Sequence, residues 1–299
     1  MLGYATKSEE HIFDQMSSYQ TLISADELVT HLDDPDWVII DARFALAQPD
    51  LTRQEYLQAH IPGAVFASLN EDLSGAVLPG VTGRHPLPAP EVAAGFFGRC
   101  GIGPGIQVVI YDDQGGALAA ARAWWMLRWL GHEAAAVLDG GWQYWQQSRY
   151  PIRSGEERRP RREFILRLRP EMAVDADQVE ALRLDPAYKL FDGRSAERYH
   201  GVNETIDPVA GHIPGAISAP YSENLGADGL FRSPEALRGR FLALLGETPA
   251  HKSVFYCGSG VTAAHDILAM EVAGLGESRL YAGSWSEWIT NPKRPIARD

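Results

Sequence analysis

Only two cysteines, Cys100 and Cys257, occur in the 299-residue chain. That is too few for a disulfide framework and points to a reducing, cytoplasmic setting. No apolar run approaches the ~20 residues that a membrane-spanning helix needs. The N-terminal segment lacks the apolar stretch of a secretory signal and carries Glu9, Glu10 and Asp14, which fit a transit peptide poorly. Residues 1–17 read instead as a polar arm. Positive charge is also scarce: 27 Lys and Arg against 39 Asp and Glu leave a net charge of −12. This argues against nucleic acid or an anionic membrane as the main partner, since both require basic patches. It leaves room for an anionic small molecule, because a local site can be positive on an acidic protein. Paired histidines, CxxC motifs and EF-hand loops are missing, as are phosphate-binding loops and dinucleotide fingerprints. The expectation is a protein with no metal and no cofactor.

What the chain does contain is written twice. Asp41-Ala42-Arg43 returns as Asp192-Gly193-Arg194, and Ala59-His60-Ile61-Pro62-Gly63-Ala64 returns as Gly211-His212-Ile213-Pro214-Gly215-Ala216. Val108 to Asp112 matches Ser253 to Cys257, and Gly141-Trp142-Gln143-Tyr144-Trp145 mirrors Ser284-Trp285-Ser286-Glu287-Trp288. The four matches keep their order, with offsets of 151, 152, 145 and 143 residues. Such internal self-similarity is the mark of a duplicated structural unit. Two domains are therefore expected, 18–147 and 173–299, joined by a linker at 148–172. The linker carries the basic run Arg158-Arg159-Pro160-Arg161-Arg162, which reads as a solvated strap rather than a docking patch. Apolar residues make up 45% of the chain, enough for a packed core in each half.

Within each half, short β-rich runs alternate with helical patterns. Trp37 to Asp41, Lys189 to Asp192, Val108 to Tyr111 and Val254 to Tyr256 read as buried strands; Leu118 to Leu130 reads as a helix. This alternation predicts an α/β fold, each domain a mostly parallel sheet flanked by helices. Ligands of such sheets bind beyond the carboxyl ends of the strands. Cys257 falls there, at a strand-to-helix turn.

The turn reads Cys257-Gly258-Ser259-Gly260-Val261-Thr262, with a helix expected from about Thr262. Its glycines let the backbone curl so that successive N–H groups face inward as an anion-binding nest at a helix N-terminus. A cysteine at the rim of such a nest is favoured as thiolate, and the same amides could hold the outer sulfur of a persulfide. The plain alternative is a packed cysteine in a tight turn. A phosphatase-like cysteine loop needs an arginine six residues on to grip phosphate, and that position is Ala263.

The paired His-Ile-Pro-Gly-Ala segments, the Asp-x-Arg strand ends and the single reactive cysteine in the second repeat resemble the rhodanese superfamily. The resemblance runs from about Ser18 to the end of the chain. It implies a sulfurtransferase in which Cys257 carries sulfur as a persulfide. Asp112, at the position matching Cys257, implies an inactive first domain. The loop is similar to that of 3-mercaptopyruvate sulfurtransferases, whereas thiosulfate sulfurtransferases of this architecture place Arg and Lys after the cysteine. Uncharged Gly258 and Ser259 suit a donor whose charge is a distant carboxylate better than the thiosulfate dianion. By the same resemblance Arg198 would bind the donor carboxylate. The family's second arginine has no counterpart in Thr205 to Gly211, and Arg84 or Arg232 are the candidates to replace it. Ser259 would be oriented by His85, while the acid of that relay falls at Asn70, beside Glu71 and Asp72.

The expected substrate-binding set is thus Gly258, Gly260, Val261, Thr262 and Arg198, with Cys257 and Ser259 catalytic and His85 a possible relay. A small sulfur donor and a thiol or thioredoxin-like acceptor are the implied partners. Thiosulfate sulfurtransferase and a non-enzymatic sulfur-relay module remain the alternatives. Asp41, Arg43, Asp192 and Arg194 recur in the half that lacks a nucleophile, which assigns them a structural ion pair. His60 and His212 recur likewise and serve the turns before Pro62 and Pro214. Trp142, Trp145, Trp285 and Trp288 read as core, and Cys100 as a packed thiol rather than a resolving partner of Cys257.

Overall fold

A computed structural model describes residues 18–298; the polar arm expected at 1–17 lies outside the described residues. The apolar runs become strands β1 (Leu22–Ile23), β2 (Trp37–Asp41), β3 (Ala64–Phe66), β4 (Gln107–Tyr111) and β5 (Ala135–Leu138), then β6 (Ala173–Val174), β7 (Lys189–Asp192), β8 (Ile217–Ser218), β9 (Ser253–Tyr256) and β10 (Arg279–Tyr281). They form two five-stranded sheets ordered β1-β5-β4-β2-β3 and β6-β10-β9-β7-β8, the same topology twice, and every pairing is parallel. The central strands β2, β4 and β9 are buried along their whole length, as strands covered by helices on both faces must be.

Helices α1 (Ala25–Leu28), α2 (Pro49–Gln58), α3 (Pro90–Arg99), α4 (Ala119–Trp129) and α5 (Gly141–Gln147) flank the first sheet. Helices α6 (Ala176–Leu182), α7 (Ala196–Tyr199), α8 (Pro234–Leu245), α9 (Thr262–Val272) and α10 (Ser284–Trp288) flank the second. Among the described residues, no helix is long and apolar enough to cross a membrane.

Two helices are apolar almost all round, and that dictates where they go. All of α4, Ala119 to Trp129, is buried, and in α9 so is the run from Ala263 to Met270. They pack against each other, so one core cluster contains side chains of both halves. A cleft between the sheets is thereby built with a helix N-terminus from each half beside it. The linker hugs the first half: Arg162 and Arg167 donate backbone bonds to Gly98 and Leu130, and Arg159 reaches the Trp37 carbonyl. Gly131 admits this strap, since a Cβ there would lie 2.5 Å from the Arg167 carbonyl.

The residues that recur in both halves do the same structural work in each. Arg43 grips Asp41 at 2.7 Å and lies over Trp142; Arg194 grips Asp192 at 2.5 Å and lies over Trp285. His60 and His212 bond to the carbonyls of Tyr56 and Tyr199 through Nδ1. All four paired tryptophans are buried.

Candidate active site

The polypeptide leaves β9 at Tyr256, turns through residues 257–261 and enters α9. Gly260 makes the turn possible: its φ is +75°, and a Cβ there would sit 2.2 Å from the Ala282 carbonyl. It was expected among the anion-binding residues; the face a Cβ would occupy packs against Ala282, so its backbone amide is what it offers an anion. The amino end of α10 fixes the loop from below. The Trp285 amide donates to the Cys257 carbonyl and the Ser286 amide to the Gly258 carbonyl, each at 3.0 Å. The Cys257 amide donates to Ser284 Oγ at 3.1 Å. Ser284 holds a positive φ of +56°, which costs a non-glycine residue about 1 kcal/mol. The matching residue in the first half is Gly141, with the same φ and no strain.

The first half shows what such a loop binds. There the Asp112 carboxylate curls back and accepts the amides of Gln114, Gly116, Leu118 and Ala120 at 2.8–3.2 Å. Burial pushes Asp112 up to about 6, and those amides restrain the rise. In the second half the nest is open: among the described residues no protein group accepts from the amides of Gly258, Ser259, Gly260 or Val261.

A cavity of about 310 Å³ opens on this loop. It brings together Cys257, Gly258, Ser259, Val261 and Thr262 with Arg198 from α7 and with Arg84 and His85 from the first half. Cys257 is buried, 2% exposed, at its floor. Phe44, Leu69, Leu118 and Tyr221 complete the wall, and the exposed side chains of Leu46 and Ile206 reach its lining.

His85 Nδ1 lies 2.8 Å from Ser259 Oγ, across the interface between the halves. Burial, with Arg122 and Arg84 nearby, draws His85 down to about 4, so its ring is neutral at ordinary pH. The acid position of the relay is Asn70, and neither neighbouring carboxylate takes its place. Asn70 and Glu71 are exposed, and Asp72 accepts the Ser68 amide at 2.9 Å and faces a different cavity, beside Cys100. Neither Glu71 nor Asp72 lines the cleft, so the Ser259–His85 contact has no carboxylate from this turn behind it.

Of the two candidates for the second family arginine, Arg84, from the first half, lines the cavity. The guanidiniums of Arg84 and Arg198 both press on Gly258, where a Cβ would lie 2.7 and 3.5 Å from them. Arg84 pairs with Asp207, and Arg198 pairs with Asp207 at 2.9 Å and Glu204 at 3.0 Å. Arg232 is elsewhere, exposed and bonded to the Leu225 carbonyl. Cys100 is buried in the first half, and burial pushes its thiol up to about 12, which removes it as a resolving thiol.

Sequence reasoning missed Arg122 and Ser284. Arg122 is fully buried and donates to the Gly260 carbonyl at 3.1 Å and the His85 carbonyl at 3.2 Å. A lone cation in the apolar run Ala119 to Leu127 was the signal available for it. For Ser284 the signal was the departure from Gly141 in an otherwise matched repeat.

A duplicated parallel α/β unit, with one cysteine in an open amide nest and a carboxylate closing the other, defines a protein built for nucleophilic chemistry on an anion in one half only. The chain belongs to the rhodanese-like domain family, whose profile matches residues 24–148 and again 175–291. It is 47% identical over 283 residues to a Pseudomonas aeruginosa protein named a probable 3-mercaptopyruvate sulfurtransferase, covering 94% of this chain and 99% of that one. A Mycobacterium tuberculosis relative, 39% identical over 93% of this chain and 97% of its own, is provisionally named a thiosulfate sulfurtransferase. The solved 3-mercaptopyruvate sulfurtransferase of Leishmania major superposes with a TM-score of 0.81 at 31% identity, covering 92% of this chain and 75% of that one.

Proposed function

We propose that this chain is a sulfurtransferase that takes sulfur from 3-mercaptopyruvate onto Cys257 and passes it to a thiophilic acceptor. The Cys257 thiolate attacks the donor sulfur, and the carbon–sulfur bond breaks with its electron pair left on the methylene carbon. The donor's thiol proton is transferred to that carbon, giving pyruvate and a deprotonated persulfide on Cys257. No outside proton is consumed. Ser259 and neutral His85 hand that proton across, Arg198 and Arg84 hold the donor carboxylate beside Gly258, and the open amides receive the outer sulfur. An acceptor nucleophile, cyanide in a test tube or a protein dithiol in a reducing cytoplasm, then takes the outer sulfur and releases Cys257 as thiolate. The first half, with Asp112 in the nucleophile's place, supplies the wall of the cleft and no nucleophile of its own.

The observation that carries this reading is the 2.8 Å contact between Ser259 and His85. Mercaptopyruvate leaves behind a carbanion that needs a proton, whereas thiosulfate releases sulfite, which does not. The second reading, thiosulfate as donor, is favoured by the Mycobacterium relative and by the arginines around the loop. Against it, Arg84 pairs with Asp207, and Arg198 with Asp207 and Glu204, so these four groups offer no net positive charge to the second negative charge of a dianion.

The test is sulfur transfer from both donors in parallel, with Cys257→Ser as control. Mercaptopyruvate should give the higher kcat/KM, and the variant should lose at least about a thousandfold with either donor. Higher kcat/KM with thiosulfate would replace the donor. No transfer from either donor in the wild type would make Cys257 a relay for protein-bound sulfur.

A further inference from the structure

Among the described residues four arginines are buried: Arg43, Arg122, Arg128 and Arg194. Three of them face carboxylates, Asp41 for Arg43, Glu277 for Arg128 and Asp192 for Arg194. Arg122 does not. Its guanidinium, 0% exposed, donates only to the carbonyls of Gly260, His85 and Leu73, at 3.1, 3.2 and 3.4 Å. Its Nε has no hydrogen-bond partner. A buried cation is strongly disfavoured unless some anion answers it. Desolvation pulls Arg122 down to about 10, so it is still charged at neutral pH, and a Cys257 thiolate would favour that charge.

The position of Arg122 shows which anion could answer it. It stands in the first turn of α4, which packs against α9, and it holds the loop at Gly260 from behind while Cys257 opens the same loop in front. Through the His85 carbonyl it also holds the segment that brings His85 to Ser259. The other charged or titratable groups facing Cys257 are Arg84, His85, Arg194, Arg198 and Tyr221. The four besides Tyr221 are accounted for: Arg84 and Arg198 share Asp207, Arg198 and Arg194 share Glu204, Arg194 holds Asp192, and His85 is neutral.

We propose that Arg122, from the non-catalytic half, is a positioning residue whose unanswered charge is the counter-charge for the Cys257 thiolate and for the persulfide formed on it. The inactive half thereby contributes the electrostatics as well as the wall of the site. The proposal rests on the reading of Cys257 as nucleophile but not on the identity of the donor.

The test needs no sulfur donor. Alkylation of Cys257 by iodoacetamide is followed against pH by peptide mass, which separates it from Cys100. In Arg122→Gln the midpoint of the rate profile should move up by about one pH unit or more, and in Arg122→Lys it should stay near the wild-type value. Turnover with mercaptopyruvate should fall at neutral pH in the Gln variant and converge on the wild type at high pH. Superimposable profiles for wild type and Gln would overturn the proposal, since lost hydrogen bonds alone would lower rates without moving the midpoint. If Arg122→Gln does not fold, Lys decides: an unmoved midpoint supports the charge, and one displaced upward despite the retained charge refutes it. A failure of mercaptopyruvate as donor would leave these profiles unchanged, so the two readings fail separately.

Discussion

Ser259 and His85 come from segments 174 residues apart and meet at 2.8 Å. With the ring neutral, one of the two groups can take a proton while the other gives one, without building charge in a dry cleft. Donor chemistry then separates their role from packing. Ser259→Ala and His85→Gln should each lower kcat with mercaptopyruvate by about a hundredfold and change thiosulfate turnover by less than about threefold. Steady-state rates with both donors check this; equal losses on the two donors would mean that the pair only shapes the loop. At this scale the sequence was partly readable. Cys257, Ser259 and the glycines announce themselves because their meaning is local, a turn at a strand end. Arg122 did not, and Arg84 could only be offered beside Arg232, because their meaning lies in contacts with Gly260 and Asp207, which only the packed halves create.

At the scale of elements, the two nucleophile-position loops are one device in two states. Between Asp112 and α4 lie residues 113–118, and between Cys257 and α9 only 258–261. The longer loop wraps around its own carboxylate, and the shorter one leaves its amides open. This difference is why the repeat offset slips from 145 to 143 residues across the loop. The strands, the order of helices and the duplicated topology were legible because period and composition fix them locally. The filling of the first nest was not, although Asp112 at the cysteine position was already its sign. Asp112→Ala would leave four amides without their acceptor, two of them, Gly116 and Ala120, buried. It should cost about 3 kcal/mol by urea unfolding, Asp112→Asn less, and sulfate should restore part of the loss in the Ala variant. An Ala variant as stable as the wild type would show that those amides find water at no cost and that the loop is no anion nest.

Over the whole molecule, the two halves are joined by polar contacts that surround a shared apolar core. Arg169 and Arg128 meet at Glu277, Asp139 accepts the Phe231 amide at 2.9 Å, and Gly115 abuts the carbonyl of Gly229. Close to this seam lies a buried polar cluster: Asn224 Nδ2 donates to Asp266 at 2.8 Å and approaches His265 at 3.1 Å, and Arg240 donates to Asn224 Oδ1 at 2.8 Å. Asp266 Oδ2 has no hydrogen-bond partner. Burial pushes this carboxyl up to about 8, against the pull of Arg240 and Asn224, so it is protonated at neutral pH. In the unfolded chain it ionises near its ordinary value of 3.8. Between these two values the native protein holds a proton that the unfolded chain has lost, so its stability falls as pH rises through that window and is highest at the acid end. Asp266→Asn has no such proton to lose. Urea unfolding of both proteins from pH 5 to pH 9 should therefore give curves that diverge as pH rises, with the variant gaining about 4 kcal/mol on the wild type across that range. Groups common to both proteins cancel in that difference. A variant equally destabilised at both ends would show that Asp266 is ionised in the native state, with Arg240 as its counter-ion, and that the buried group beside the seam is an ion pair rather than a neutral hydrogen-bonded cluster.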